Sequence, residues 1–233
     1  MRNMATVFLG LALTLAAKAP LHEVQLTTTN RADLGPGGTV RISGSYGQLD
    51  VEGWDQARVE VTVTRSVWRS DTPGALDQAK LLLGRVTVKA ERRDSGEVAI
   101  TTVLPSRNLI TRPLRDRTEI SLEYTIRVPR DSHLVIHHGS GDIRLAGVTA
   151  AIEATLHEGD IELRLPEANP YSIDAKCRIG GVYSDFAGEH RVRWVAGENF
   201  EEKAAPSAVH VYLRADVGGI QILKIPAIAM APE

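Results

Sequence analysis

The chain has one cysteine, few aromatic residues and almost no net charge, and each scarcity argues against a class of protein. Cys177 is the only cysteine among 233 residues, so no disulfide can form within one chain. Aromatic residues make up 5% of the sequence, so a core must depend mainly on Val, Ile, Leu and Ala. The net charge is −2 and the basic residues are spread along the chain, whereas a nucleic-acid partner requires a concentrated basic face.

The longest apolar run lies at the N-terminus and predicts export. Arg2 precedes the apolar residues 4–17, and Ala17-Lys18-Ala19 offers the small residues that signal peptidase reads. The run is shorter than the ~20 residues of a spanning helix, and no cysteine follows it for lipid attachment. We therefore expect residues 1–19 to be a signal peptide, with no stable membrane span after cleavage; the alternative is an uncleaved N-terminal anchor or a buried pair of strands. Pro20 disfavours a cut directly before it, so the cleavage site stays open.

After residue 22 the sequence alternates between apolar and polar residues, which is the period of a half-buried strand. In residues 59–64 valine alternates with Glu and Thr, and residues 120–128 repeat the pattern up to Pro129, which lacks an N–H and ends the strand. Cys177 falls on the apolar side of its segment, so we expect a buried thiol rather than a nucleophile or metal ligand. The pattern continues to about residue 225 and predicts an all-β protein.

Two stretches interrupt this alternation. Residues 71–84 contain a proline within a first turn, an Ala/Leu-rich body and Gly84, which can take the positive φ of a helix C-cap. They predict a short helix near residues 73–84 that packs on a sheet. Residues 105–117 form a basic segment, interpreted as an exposed loop or, alternatively, as a ligand-binding one. Its arginines are Arg107, Arg112, Arg115 and Arg117.

The second half carries a weak repeat of a glycine, a turn residue and alternating apolar residues. Repeats of roughly 20 residues are typical of solenoids, in which each coil pairs with the next, and glycine permits the positive φ of a tight corner. The units begin at Gly141-Asp142-Ile143, Gly159-Asp160-Ile161, Gly181-Val182-Tyr183 and Gly219-Ile220-Gln221, with an earlier one at Gly47-Gln48-Leu49.

These patterns predict two continuous β regions. Residues 22–130 would form an N-terminal β-sandwich-like region that carries the short helix. Residues 131–226 would form a β-solenoid or β-roll-like half, built from the repeats, and residues 227–233 a tail.

Three features together resemble a known family. They are Gly-Gln-Leu-Asp-Val-Glu-Gly-Trp-Asp at Gly47–Asp55, the helix at 73–84, and the Gly-Asp-Ile repeats that follow Val128-Pro129. This combination resembles the putative adhesin family, also described as auto-transporter adhesin head-like bacterial envelope domains of unknown function. The resemblance covers roughly residues 38–225 and implies a β-solenoid-like fold, export and a role in adhesion or envelope signalling. The family has no established catalytic residues, so none is carried over to this chain.

One group of side chains has the chemistry of a metal site. Stacking of the two Gly-Asp-Ile repeats would bring several imidazoles near one another, as a zinc or copper site requires. Neighbours on a regular strand point to opposite faces, so His137 and His138 cannot both bind one ion. Two interpretations of this group therefore remain: a metal site, or polar residues that lie at the corners of the coils. The group comprises His133, His137, His138 and His157.

Acidic and hydroxyl groups offer weaker alternatives. Stacked Asp142 and Asp160 have oxygen ligands for calcium, but one Asp per coil is sparse for a calcium-binding roll. Glu158, Asp160 and Glu162 are the densest acidic group for attack on a polysaccharide, yet no second base or arginine pair frames them. Ser140 lies between two glycines and lacks the strand-to-helix elbow of a serine nucleophile.

The sequence therefore predicts a non-catalytic, exported envelope protein that binds or scaffolds in an adhesin-like way, in the periplasm or at the cell surface. Its partner would be an envelope protein or a surface glycan, bound through exposed sheet faces and strand edges. We assign no catalytic, cofactor-binding or metal-binding residue. Trp54, Trp68 and Trp194 lie far apart in sequence, which favours filling gaps in the core or covering strand ends over a sugar-stacking platform. The alternatives are a periplasmic accessory of envelope-stress signalling and a polysaccharide-acting β-solenoid enzyme.

Overall fold

Strands account for most of the described chain. A computed structural model describes residues 20–226 except 71, 73, 94–95, 105–119, 193–196 and 204–207. The predicted signal peptide, basic loop and tail, as well as Trp194, lie outside the described residues.

One helix and fifteen strands are formed by the described residues. In the first part of the chain these are β1 (Leu21–Asp33), β2 (Thr39–Tyr46), β3 (Gln48–Trp54), β4 (Arg58–Ser70), α1 (Ala75–Gly84), β5 (Thr87–Arg93), β6 (Glu97–Val103) and β7 (Ser121–Pro129). They continue with β8 (His133–Ser140), β9 (Ile143–Ala146), β10 (Ile152–Glu158), β11 (Ile161–Pro166), β12 (Tyr171–Ser184), β13 (Glu189–Val192), β14 (Glu198–Glu202) and β15 (Val209–Ile225). The all-β prediction is confirmed.

Helix α1 forms where the alternation stops, as predicted, but it ends differently. Ala79 and Leu83 pack on Val67 and the partly buried residues around it. Gly84 is the last helical residue and Arg85 closes the end with a right-handed φ of −79°, so the prediction of a left-handed Gly84 cap is wrong. The reason is that the Arg85 N–H bonds to the Leu82 carbonyl, a tight final turn that needs no positive φ. No helix in the described part of the chain is long and apolar enough to cross a membrane.

Five parallel rungs form the centre of the sheet. We use "rung" for a pair of strand segments joined at a corner: β2–β3, β8–β9, β10–β11, and the two halves of β15 and of β12. In the first halves Ile42, Ile136, Ala154, Leu213 and Ala175 lie side by side. In the second halves the corresponding row is Leu49, Ile143, Ile161, Ile220 and Val182. Both rows are buried, so each rung adds a layer to one core.

Further strands extend the stack at both ends. Beyond β3 lie β7, β4 and β1, and beyond β2 lie β6 and β5. At the opposite end β14 pairs antiparallel with β12, and β13 pairs with β14. The edges of β1 and β5 approach each other, where the Asn30 side-chain amide donates to the Val88 carbonyl at 3.0 Å. The result is one nearly closed, barrel-like sheet in place of the expected sandwich-like region and solenoid-like half.

The order of the rungs differs from the order of the chain. β12 follows β11 in sequence, but the later strand β15 lies between them and pairs in parallel with β10, β11 and β12. A regular solenoid would stack each coil on the one before it. β2 and β3, from the first predicted region, belong to the same stack as the repeats; the limits of the two regions remain a prediction.

A column of glycines turns every rung through its corner. All five have positive φ, between 111° and 136°, a region that favours glycine. A Cβ on any of the last four would overlap the carbonyl oxygen of the glycine in the rung before it. Two separate constraints therefore require glycine at these corners: the positive φ, and the close contact with the carbonyl oxygen of the neighbouring rung. In spatial order the column is Gly47, Gly141, Gly159, Gly218 and Gly180.

The repeat predicted three of these corners and misplaced two. We expected Gly181 and Gly219 to turn the chain, but the positive φ falls one residue earlier, at Gly180 and Gly218. In these rungs the second glycine occupies the place that Asp142 and Asp160 take in the others, because the register aligns the strands that follow.

Replacing Gly218 with alanine should destabilise the protein by ~3 kcal/mol or more, because strain at a positive φ adds to overlap with the Gly159 carbonyl of the preceding rung. Urea unfolding measures the loss. Gly84→Ala is the matched control, since nothing lies within 4 Å of its added Cβ, and it should change stability by less than ~1 kcal/mol. Equal effects of the two changes would contradict the role of the column.

Candidate binding surface

The aspartates of the Gly-Asp repeats directly follow the corner glycines. Asp142 and Asp160 lie in neighbouring rungs, as the sequence predicts. Asp142 Oδ1 accepts the N–H of Asp160 at 3.2 Å, and Asp160 Oδ1 accepts the N–H of Gly219 at 2.6 Å. Each carboxylate therefore satisfies a backbone donor of the next rung, which is the structural use of an Asp after a corner glycine.

Two carboxylates of the predicted acidic group have partners within the protein. Asp160 is engaged by the backbone, and Glu162 Oε1 accepts a hydrogen bond from Arg164 Nε at 2.6 Å. Within the part of the chain that the structure describes, no three His, Cys, Asp or Glu side chains are arranged to hold a metal ion. In the structure, Asp142, Asp160 and Glu162 therefore bind neighbouring groups of the protein itself.

The sheet separates His138 from the other three histidines. His138 points inward and is 5% exposed, with Nε2 2.8 Å from the Gly47 carbonyl oxygen. His137 points outward and bonds through Nδ1 to Thr155 Oγ1 at 2.8 Å. His157 lies on the outside too, 2.8 Å from Asp216, while His133 is exposed at the start of β8. The prediction that His137 and His138 face opposite sides is confirmed.

The thiol and the two described tryptophans take unrelated places. Cys177 is 2% exposed and its Sγ donates to the Gly218 carbonyl at 3.2 Å; burial raises the pKa of the thiol. The interpretation as a buried residue is confirmed. Trp54 donates from Nε1 to the Arg58 carbonyl at 2.9 Å near the end of β3. Trp68 is 59% exposed on β4. These tryptophans form no common platform.

A regular polar face covers the outside of the first rung halves. Alternation directs every second side chain of β8, β10, β15 and β12 away from the core, and the parallel register aligns these side chains into rows. We call this surface the tyrosine face. Its residues are His137, Glu153, Thr155, His157, Asp174, Lys176, Arg178, Tyr212, Arg214 and Asp216.

Tyr212 is held at the centre of the tyrosine face by a bridging arginine. The Arg214 guanidinium lies 3.6 Å from the Tyr212 ring centroid. Its Nη2 donates to Asp174 Oδ2 at 2.6 Å, and its Nη1 donates to the Asp174 carbonyl oxygen at 2.8 Å. Burial opposes ionisation of Asp174, but Arg214 and Lys176 together hold the pKa of this carboxyl below its usual value. The ring is thereby fixed while 41% of the residue stays exposed.

A second charged group lies farther along β15, four positions from Tyr212. Asp216 lies 2.8 Å from His157 Nδ1 and 3.3 Å from Arg178 Nε. The hydrogen bond from His157, with the charge of Arg178, lowers the pKa of Asp216. The tyrosine face thus combines one fixed aromatic ring with donors and acceptors that are arranged before any ligand arrives.

Sequence reasoning missed this surface. Alternation alone places Tyr212, Arg214 and Asp174 on the outside of their strands. Their proximity depends on β15 pairing with β12, and no local pattern indicates that two segments about 40 positions apart lie side by side.

Comparison with known proteins gives distant structural likenesses only. No family model matches the sequence, and no curated protein matches it. A putative cell adhesion protein from Clostridium sporogenes is 12% identical with a TM-score of 0.48, over 86% of this chain and 100% of that one. A putative adhesin from Bacteroides fragilis is 8% identical with a TM-score of 0.27, over 85% and 97%. A putative lipid binding protein from Parabacteroides distasonis is 8% identical with a TM-score of 0.24, over 85% and 96%. These likenesses are too distant to show a family or a function.

Asp160→Ala should lower the free energy of unfolding by ~1–2 kcal/mol, because it leaves the Gly219 N–H without its acceptor. Asp160→Asn keeps a carbonyl oxygen at the same place and should retain most of the stability. Glu162→Ala removes only an exposed ion pair and should cost less than ~1 kcal/mol. Urea unfolding of the three variants tests the assignment, and an unchanged Asp160→Ala protein would contradict it.

Acid should destabilise the protein through His138. Burial lowers the pKa of His138 below its ordinary value of 6.5. Above that value both states are neutral and the contribution of His138 to stability is complete. As the pH falls below 6.5, His138 of the unfolded chain binds a proton, whereas the buried imidazole of the folded chain stays neutral. The free energy of unfolding therefore declines by up to ~1.4 kcal/mol per pH unit until the pH passes the pKa of His138 in the folded protein.

Unfolding free energies of His138→Gln and wild type, measured between pH 7.5 and about 5, isolate this contribution. The glutamine amide can donate to the Gly47 carbonyl but binds no proton, so this part of the slope should disappear. The exposed His133→Gln change should preserve it. An identical pH slope in wild type and His138→Gln would refute the assignment.

Proposed function

We propose that this protein is a non-catalytic, exported envelope protein that binds or scaffolds in an adhesin-like way, with a surface glycan as the ligand of its tyrosine face. The observation that carries the proposal is the Tyr212 ring, fixed by Arg214 and Asp174 and still 41% exposed. Sugars present C–H groups that pack on an aromatic ring and hydroxyls that bond to polar groups around it. Both kinds of contact are available on the tyrosine face.

The shape of the scaffold supports a polymeric ligand. Parallel strands repeat at about 4.8 Å, so the five rungs set rows of donors and acceptors at a regular spacing. In this proposal the rungs act as a short solenoid-like stack within the barrel-like sheet, and a glycan chain lies across them. The ion pairs of Asp174 and Asp216 also fix the positions of polar groups on the tyrosine face.

Export to the periplasm or the cell surface is part of the same proposal. It is supported by the apolar N-terminal segment with its small residues at the expected cleavage motif. A cell envelope is also where an accessible glycan ligand would be met.

Binding to glycans can be measured with the fluorescently labelled protein on an array of purified bacterial polysaccharides, including peptidoglycan, lipopolysaccharide and capsular material. We expect saturable binding to at least one of them. Tyr212→Ala should weaken that binding about tenfold or more, because the stacking contact is lost. Thermal unfolding of the variant shows whether its fold is intact.

Tyr183→Ala is the matched control, because this tyrosine is 57% exposed but lies on the second half of its rung, outside the tyrosine face. It should bind like wild type. Equal losses for the two tyrosine variants would reject the tyrosine face as the site. If no polysaccharide on the array is bound while the immobilised protein retains envelope proteins from a cell extract, the glycan proposal is rejected and the protein-binding alternative is favoured.

A further inference from the structure

Within the described part of the chain, one edge of the short, charged strand β13 has no partner strand. Among the described strands it pairs only with β14, and all four of its residues are exposed. Val192 is 80% exposed, the largest value among the exposed large hydrophobic residues of the described chain. An unpaired strand edge offers a row of N–H and C=O groups to another strand. The question is which strand fits this edge.

Symmetry limits how a second copy can pair with β13. Two antiparallel copies of one strand are related by a two-fold axis perpendicular to the sheet, and residues opposite each other point to the same face. Because side chains alternate along a strand, only residues separated by an even number of positions can then face each other. The allowed registers are centred on a residue, such as Glu189, His190 or Arg191, and never between two residues.

Charge selects one of these registers. Centring the pair on His190 places Glu189 of each copy opposite Arg191 of the other, so two opposite-charge pairs form. Centring it on Glu189 places two glutamates opposite each other, and centring it on Arg191 places two arginines opposite each other. Directly opposed like charges destabilise a sheet, whereas opposite charges stabilise it. The sequence Glu-His-Arg is therefore self-complementary in one register.

The surroundings of Glu189 in a single chain point the same way. Glu189 lies directly opposite Glu201 on β14, a like-charge neighbour. Its carboxylate is met by Arg191 of the same strand at 2.7 Å, and Lys203 adds a favourable charge nearby. An arginine from a second copy would add a cation on the open side of Glu189. The exposed Val192 would at the same time lie diagonal to His190 of the second copy.

We propose that the protein forms a homodimer through antiparallel pairing of β13 with β13 of a second copy, in the register centred on His190. The occupant of the edge is thus a second copy of this chain. The pairing joins the two sheets edge to edge, with the Glu189–Arg191 pairs on one face of the joint.

Charge reversal tests the register in solution. Glu189→Arg and Arg191→Glu each place like charges opposite one another in the homodimer, so each variant alone should dissociate at least ~10-fold more readily than wild type. An equimolar mixture of the two variants restores both opposite-charge pairs in the mixed dimer, and it should dimerise like wild type. Sedimentation equilibrium over a range of protein concentrations gives the dissociation constants.

Lys80→Glu, an exposed charge reversal on α1, is the matched control and should leave dimerisation unchanged. Circular dichroism shows that each variant keeps its β fold. A wild-type protein that sediments as a monomer at every concentration overturns the proposal. So does dimerisation that survives both single reversals, or a mixture of the two variants that stays monomeric.

Discussion

The contact between backbones at the glycine column is the constraint on which the rest of the structure depends. At each corner the carbonyl oxygen of one glycine occupies the space that a side chain would need in the next rung. The rungs can approach to the distance of strand pairing only because no Cβ is present. This contact fixes the register on both sides of the corner, so the buried rows of the first and second halves coincide in all five rungs.

A fixed register determines what the outside of the protein looks like. Once the apolar rows face the core, the same alternation directs Tyr212, Arg214 and Asp174 outward and side by side. The corner aspartates accept hydrogen bonds from backbone N–H groups. In our proposal, ligand recognition therefore depends on side chains that lie on the strands. At the β12 end of the stack, β14 pairs with part of β12, and β13 pairs with β14. The outer edge of β13 carries self-complementary charges. A dimer joined there would present two tyrosine faces, and linked sites bind a polymeric ligand more tightly than one.

The sequence predicts what is local and misses what is distant. Strand alternation, the inward Cys177 and the opposite orientations of His137 and His138 follow from a period of two, so they could be predicted. The glycine corners could be predicted where a single glycine precedes Gln or Asp, but not in the Gly-Gly pairs, where two candidate glycines are adjacent. The position of β15 between β11 and β12 could not be predicted. Every rung carries the same apolar pattern, so this pattern alone would allow any two rungs to pair. The tyrosine face was missed for this reason.

Native-state hydrogen exchange tests most directly whether the glycine column joins the rungs into one cooperative unit. The relevant amides cross between rungs: Gly47 to Ser140, Gly141 to Glu158 and Gly159 to Val217, at 2.9, 2.9 and 3.0 Å. Exchange followed by NMR in increasing urea should give all three the same opening free energy, equal to that of global unfolding. Opening of the Gly159 amide at a much lower free energy than that of Gly47 would show that the rungs unfold separately and would contradict the account.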